Sequence, residues 1–131
     1  MIVDTSAIVA ILREEPDAAR YVEALGRAAS VRISTGTYVE TAIVIDSARD
    51  PVLSGRLDDL LATVRARVEP VTRRHADLAR HAFRVFGKGA GHPADLNFGD
   101  CVAYALAREA DEPLLFKGDD FSKTDVADAF S

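Results

Sequence analysis

Apolar residues along this chain come in two kinds of run, short and dense or longer with helical spacing. Met1-Ile2-Val3 is a short run ending in Asp4. It is followed by Thr5-Ser6 and then by Ala7, Ile8, Ala10, Ile11 and Leu12, which have the density of a buried helix, so the segment predicts strand, turn, helix. Glu15-Pro16-Asp17 opens a second helix through Tyr21, Val22 and Leu25, Val31-Arg32-Ile33-Ser34 gives a short strand, and Thr35-Gly36 marks a break. The pattern repeats with an apolar helix over residues 37–48 and another, opened by Asp50-Pro51, with Leu53, Leu57, Leu60, Leu61 and Val64 at helical spacing. Val68-Glu69-Pro70-Val71 predicts an edge strand or a strand end, because proline removes a ladder donor. A helix over 75–86, a glycine-rich loop over 87–95, a helix over 98–110 and an apolar strand at Pro113-Leu114-Leu115-Phe116 complete the chain.

Short apolar strands alternating with helices imply a mainly parallel sheet, since parallel strands need crossovers and helices supply them. The expected fold class is α/β, a three-layer α/β/α arrangement in one domain spanning residues 1–131. Ligands of such sheets bind beyond the carboxyl ends of the strands, so the residues just after each apolar run are the ones to inspect.

Those residues are acidic. Asp4 ends the first strand, Glu40 and Asp100 fall in the first turns of two helices, and Asp119-Asp120 follow the last strand. Each has a local alternative: Thr37 with Glu40 matches a capping box, Asn97 with Asp100 resembles one, and Asp120 could cap a short helix beginning near Ser122. Capping, however, does not require the acids to gather at one sheet edge, where carboxylates repel unless protonated or bridged by a cation. Oxygen ligands with open positions suit Mg²⁺, with Mn²⁺ as a substitute, and both bind phosphate oxygens as well. That chemistry makes a nucleophile of a metal-bound water and needs none from the protein.

Composition narrows the alternatives. Apolar residues make up 48% and charged residues 28%, which excludes a disordered polar chain. The single cysteine, Cys101, cannot form an internal disulfide, and His75, His81 and His92 have no metal-binding companions at zinc spacing. No apolar stretch is long enough to span a membrane and no basic leader precedes Ile2, so a soluble, cytoplasmic protein is expected. The net charge of −5 hides a division: 6 basic and 10 acidic side chains over 1–64, 7 and 2 over 65–94, 3 and 9 over 95–131. The basic middle third could be an RNA-facing strip beside an acidic pocket, or a solvated helix surface.

Four segments carry a resemblance: MIVDTSAIVAIL, STGTYVETAIVI, FGKGAGHPADLNFGDCVAYALA and PLLFKGDDFSKTD. Together they resemble PIN-domain ribonucleases, specifically the toxins of VapBC toxin-antitoxin pairs, over essentially the whole chain. The resemblance implies Mg²⁺-dependent endonucleolytic cleavage of RNA, a homodimer, and a cognate antitoxin whose C-terminal segment lies across the active site. It carries Asp4, Glu40 and Asp100 over as metal-site acids, with Asp120 preferred as the fourth and Asp119 as the alternative. Thr5 and Ser6 are expected to offer hydroxyls to water or phosphate as well as to begin the first helix. Asn97 is expected to orient Asp100 or contact RNA unless it is a cap alone, and Lys88 to meet phosphate from the glycine-rich loop. The paired N-terminal helices are where an antitoxin helix could dock. Two rivals share parts of the pattern. A receiver-type module would use Lys117 after the last strand, but Val71-Thr72-Arg73 stands where its acceptor aspartate belongs. A haloacid-dehalogenase-like phosphatase would need Asp-x-Asp where this chain has Asp4-Thr5-Ser6. A catalytically silent PIN-like binding module is the remaining alternative.

Overall fold

The computed structural model describes residues 1–131, and its centre is a four-stranded sheet in the order β3-β2-β1-β4, every neighbouring pair parallel. The strands are β1 (Ile2–Val3), β2 (Arg32–Ser34), β3 (Arg67–Glu69) and β4 (Leu114–Leu115). Ile2 pairs with Arg32 on one side and Leu114 on the other, which places β1 and its terminal Asp4 in the middle of the sheet. Side chains alternate across a strand, and here successive residues enter different cores. Ile2 and Leu114 face one cluster with Leu96, Tyr104 and Leu106, whereas Val3 and Leu115 face another with Ile8, Tyr21, Ile33 and Ile45. All four strand residues are buried, and burial of each such side chain contributes about 1.5–3 kcal/mol.

Helices fill both outer layers. On the face of Val3 and Leu115 lie α1 (Thr5–Leu12), α2 (Ala18–Arg27), α3 (Thr35–Asp46) and α4 (Pro51–Thr63); on the other lie α5 (Arg73–Phe86) and α6 (Phe98–Ala110). α6 is buried along most of its length from Cys101 to Ala107, and its run of small residues (Ala103, Ala105, Ala107) lets it lie against the sheet. The three-layer α/β/α expectation therefore holds. No helix is long and apolar enough to cross a membrane.

Several boundaries differ from the sequence pattern for identifiable reasons. The helix expected after Thr5-Ser6 begins at Thr5, because Asp4 serves as its N-cap and accepts from the Ser6 backbone N–H at 3.0 Å. The break expected at Thr35-Gly36 is absent: β2 runs directly into α3, capped by Ser34, whose hydroxyl accepts from Gly36 N–H. Thr37 is consequently inside the helix and buried, its hydroxyl without a partner, and the capping box it could have formed with Glu40 does not exist. The third strand stops at Glu69, so Pro70 and Val71 fall outside it, and β3 is the sheet edge that proline requires.

Candidate active site

The acids sit where the parallel strands deliver them. Asp4 leaves β1 in the central position and is 3% exposed. Its Oδ2 accepts the Ser6 backbone N–H and, at 2.6 Å, the Ser6 hydroxyl. That hydroxyl in turn accepts the Lys117 backbone N–H at 2.9 Å, so the chain just beyond β4 is fastened to the chain just beyond β1. Burial raises the Asp4 carboxyl to about 6 even though both Ser6 donors favour its charged form, and repulsion from Asp100 and Glu40 adds to the rise. Those two carboxylates therefore lie within electrostatic reach of Asp4.

Glu40 lies on α3, one turn beyond Gly36, with its carboxylate turned toward α1. Thr5 Oγ1 donates to Glu40 Oε1 at 2.6 Å and lies 2.9 Å from Thr41 Oγ1, which donates to the Thr37 carbonyl at 2.8 Å. Because no capping box engages Glu40, its carboxylate is available to this threonine cluster and to the acidic edge.

Asp100 forms the expected cap and belongs to the edge as well. Asn97 Oδ1 accepts the Asp100 N–H at 2.9 Å, and Asp100 Oδ2 accepts the Asn97 N–H at 3.0 Å, a complete capping box. Only Oδ2 is used, so Oδ1 remains free. Burial raises the Asp100 carboxyl above the ordinary range, and repulsion from Asp120 and Glu40 raises it further, with Lys88 acting in the opposite direction. Lys88, an exposed cation of the glycine-rich loop, is thus within electrostatic reach of the acids.

Asp119 and Asp120 differ in what they do. Asp120 occupies the cap position of a short 3₁₀ turn (Phe121–Lys123) but makes no side-chain cap bond, and its charge is felt at Asp100. Asp119 contributes its backbone carbonyl, which accepts from Ser122 Oγ at 2.6 Å. The structure thus brings Glu40 and Asp100 within electrostatic reach of Asp4, and Asp120 within reach of Asp100. Thr5 and Ser6 hold carboxylates, and Asn97 braces Asp100.

As the side chains stand, no group of three or more His, Cys, Asp or Glu residues is gathered closely enough to hold a metal ion. The donor chemistry nevertheless suits a hard divalent ion that keeps most of its waters and takes only a few carboxylates directly, since the ligands on offer are oxygens alone. Sequence inspection missed three contributors: Thr41 in the hydroxyl cluster, Gly99 against Glu40, and Lys117 as a backbone donor. Thr41 and Gly99 adjoin recognised acids, and Lys117 follows β4, but their roles depend on contacts between separate segments.

A four-stranded parallel sheet between two helical layers, with a buried aspartate at its central carboxyl edge and Glu40 and Asp100 near it, defines an α/β/α class of domain. Comparison with known proteins makes the class specific: the PIN domain family model matches residues 1–127, and the chain belongs to that family. Within the family it is VapC-like. It is 59% identical over 126 residues to ribonuclease VapC28 of Mycobacterium tuberculosis, covering 96% of this chain and 95% of that protein. Ribonuclease VapC42 of the same species is 46% identical over 129 residues, with 98% of each covered. Among solved structures, Mycobacterium tuberculosis VapC20, described as a sarcin-ricin loop cleaving toxin, superposes with a TM-score of 0.72 at 19% identity over 96% of this chain and 95% of the other, a likeness of fold.

Proposed function

We propose that this protein is a Mg²⁺-dependent endoribonuclease, the toxin of a toxin-antitoxin pair. The observation that carries the reading is the position of Asp4, a buried carboxyl raised by its surroundings at the central carboxyl edge of the sheet, with Glu40 and Asp100 as charged neighbours. Membership of the PIN family and close relatives that bear the name ribonuclease supply the substrate class.

Asp4, Glu40 and Asp100 would hold the ion, with Asp120 as the fourth acid and Asp119 the alternative. When bound, Mg²⁺ or Mn²⁺ supplies a more acidic water and a charge that stabilises the phosphorane-like transition state. The protein's own groups prepare that site. Ser6 keeps Asp4 turned toward the edge by donating to Oδ2, and Thr5 does the same for Glu40. Asn97 fixes the rotamer of Asp100 while leaving Oδ1 free. Lys88, exposed between Gly87 and Gly89, is suited to a phosphate of the bound RNA, and α5 carries further exposed arginines. The hydroxyls of Thr5 and Ser6, each engaged with a carboxylate, act on substrate through the acids they orient.

The reading extends to partners. An apolar groove of about 510 Å³ between α5 and α6, lined by Val71, Ala79, Phe83, Phe98 and Val102, continues across Phe98 toward the exposed Val39 and Ile43 of α3. Such a continuous apolar surface suits a homodimer. A cognate antitoxin would present a cation to the acidic edge, and the expected compartment is the cytoplasm.

The test is cleavage of total RNA by the purified protein with Mg²⁺, Mn²⁺, Ca²⁺ or EDTA. Cleavage with Mg²⁺ and Mn²⁺, little with Ca²⁺ and none with EDTA is expected; robust hydrolysis in EDTA refutes the metal mechanism. Mapping the 5′ ends of the products identifies the RNA.

A further inference from the structure

We propose that Gly99 is a positioning residue for the Glu40 carboxylate, its missing side chain leaving the space in which that carboxylate rests beside Asp100. A β-carbon built on Gly99 would lie 2.6 Å from Glu40 Cδ and 2.8 Å from Oε1, and would overlap Oε2. Carbon atoms in van der Waals contact stand about 3.5–4.0 Å apart, so no residue with a side chain coexists with Glu40 as it stands. On its other side the same carboxylate is held by Thr5 Oγ1 at 2.6 Å. Glu40 is therefore clamped between a donor on α1 and the bare backbone of α6, and the turn that clamps it is the one that carries Asp100.

What would have to move distinguishes this glycine from its neighbour across the same helix pair. A β-carbon on Gly36 of α3 would lie 2.8 Å from Val102 Cγ1 of α6, a branched and mostly buried side chain that cannot retreat. Gly36 serves packing. At Gly99 the obstructing atoms are the far end of a flexible glutamate, which can swing toward solvent at little cost to folding and in doing so leaves Thr5 and the acidic edge. Gly99 has ordinary helical backbone, so a left-handed conformation does not require glycine there. Its requirement is set by the carboxylate.

The proposal rests on the reading of Glu40 as a metal-site acid, and the experiment separates the two. Mn²⁺ affinity of the metal-free protein is measured by titration, together with the melting temperature, for wild type, Gly99→Ala, Glu40→Gln, Glu40→Ala, the double variant Glu40→Ala/Gly99→Ala, and Gly36→Ala. Gly99→Ala should weaken Mn²⁺ binding about 10- to 100-fold, as removal of a support behind a metal ligand does. Its melting temperature should stay within about 2 °C of wild type, while Gly36→Ala falls by more and is restored by Val102→Ala. In the Glu40→Ala background Gly99→Ala should change Mn²⁺ affinity no further, since the group it displaces is gone. Wild-type affinity in Gly99→Ala alongside loss in Glu40→Gln overturns the proposal and leaves the Glu40 reading intact. A further loss in the Glu40→Ala background overturns it too, because Gly99 then acts on another group. Wild-type affinity in Glu40→Gln overturns the Glu40 reading and the proposal with it. If Gly99→Ala fails to fold, recovery of folding in the double variant confirms the clash with Glu40, and failure of both refutes it.

Discussion

The backbone N–H of Lys117 donates to Ser6 Oγ at 2.9 Å, and the same hydroxyl donates to Asp4 Oδ2 at 2.6 Å. Two chain segments 111 residues apart thus share one hydroxyl, and the loop carrying Asp120 is tied to the acid of the central strand. The Lys117 ammonium extends the link outward, reaching Glu15 and Asp17 at 2.9 Å each in the connection between α1 and α2. Those ion pairs are more than a third exposed, so solvent screening holds each to a fraction of a kcal/mol up to about 1 kcal/mol.

Ser6→Ala should lower stability by about 1–3 kcal/mol, since it leaves the Lys117 N–H without its acceptor and the buried Asp4 with one donor fewer. The Asp4 carboxyl should titrate still higher in this variant, because the lost hydroxyl favoured the charged form. Denaturant unfolding and carboxyl-detected NMR provide the two readouts. A Ser6→Ala protein with unchanged stability and unchanged Asp4 titration contradicts the link.

Stability of the metal-free protein should fall as pH rises from about 4 to about 6, and Asp4→Asn should remove that portion of the dependence. Asp4 is raised from 3.8 to about 6 in the folded state, so the folded protein binds the extra proton within that window. The stabilisation is complete below the unfolded value and gone above the folded one. A shift of about two units corresponds to about 3 kcal/mol, so Asp4→Asn should be the more stable protein at pH 7 without metal. The difference between wild-type and variant unfolding curves across pH isolates Asp4 from Asp100, which shifts in the same direction; parallel curves count against it.

Asp4→Asn, Glu40→Gln and Asp100→Asn should each reduce RNA cleavage by about 10²-fold or more while the protein stays folded, since electrostatic stabilisation at the reacting phosphate is the main catalytic contribution. Asp120→Asn should lower cleavage more than Asp119→Asn, because the charge of Asp120 acts on Asp100. Single-turnover rates at saturating Mg²⁺ rank the five variants, and the reverse order for 119 and 120 transfers the fourth role to Asp119.

A cognate antitoxin should inhibit through an arginine near its C-terminus, in competition with Mg²⁺. Crowded carboxylates favour a guanidinium, which brings positive charge and a planar fork matched to carboxylate oxygens. Replacing that arginine by alanine should restore cleavage or weaken the complex, most of all at raised Mg²⁺. Inhibition that ignores both the replacement and the Mg²⁺ concentration places the antitoxin elsewhere.

The candidate acids were legible in the sequence because parallel α/β sheets bring the residues after each strand to one edge, and short apolar runs with intervening amphipathic helices mark such a sheet without coordinates. Short dense apolar runs marked β1 and β4 as buried on both faces, and the proline at position 70 confined β3 to the rim. Local patterns were ambiguous where two interactions competed for one residue. Thr37 and Glu40 match a capping box, yet Ser34 captures the helix start and releases Glu40 to Thr5, whereas Asn97 and Asp100 form their box and keep one carboxylate oxygen free. Which competitor wins depends on partners that arrive from other parts of the chain. Only the tertiary structure decided that Ser6 spans Asp4 and Lys117 and that Gly99 leaves room for Glu40, because each is a contact between segments whose separation in sequence carries no information about their separation in space.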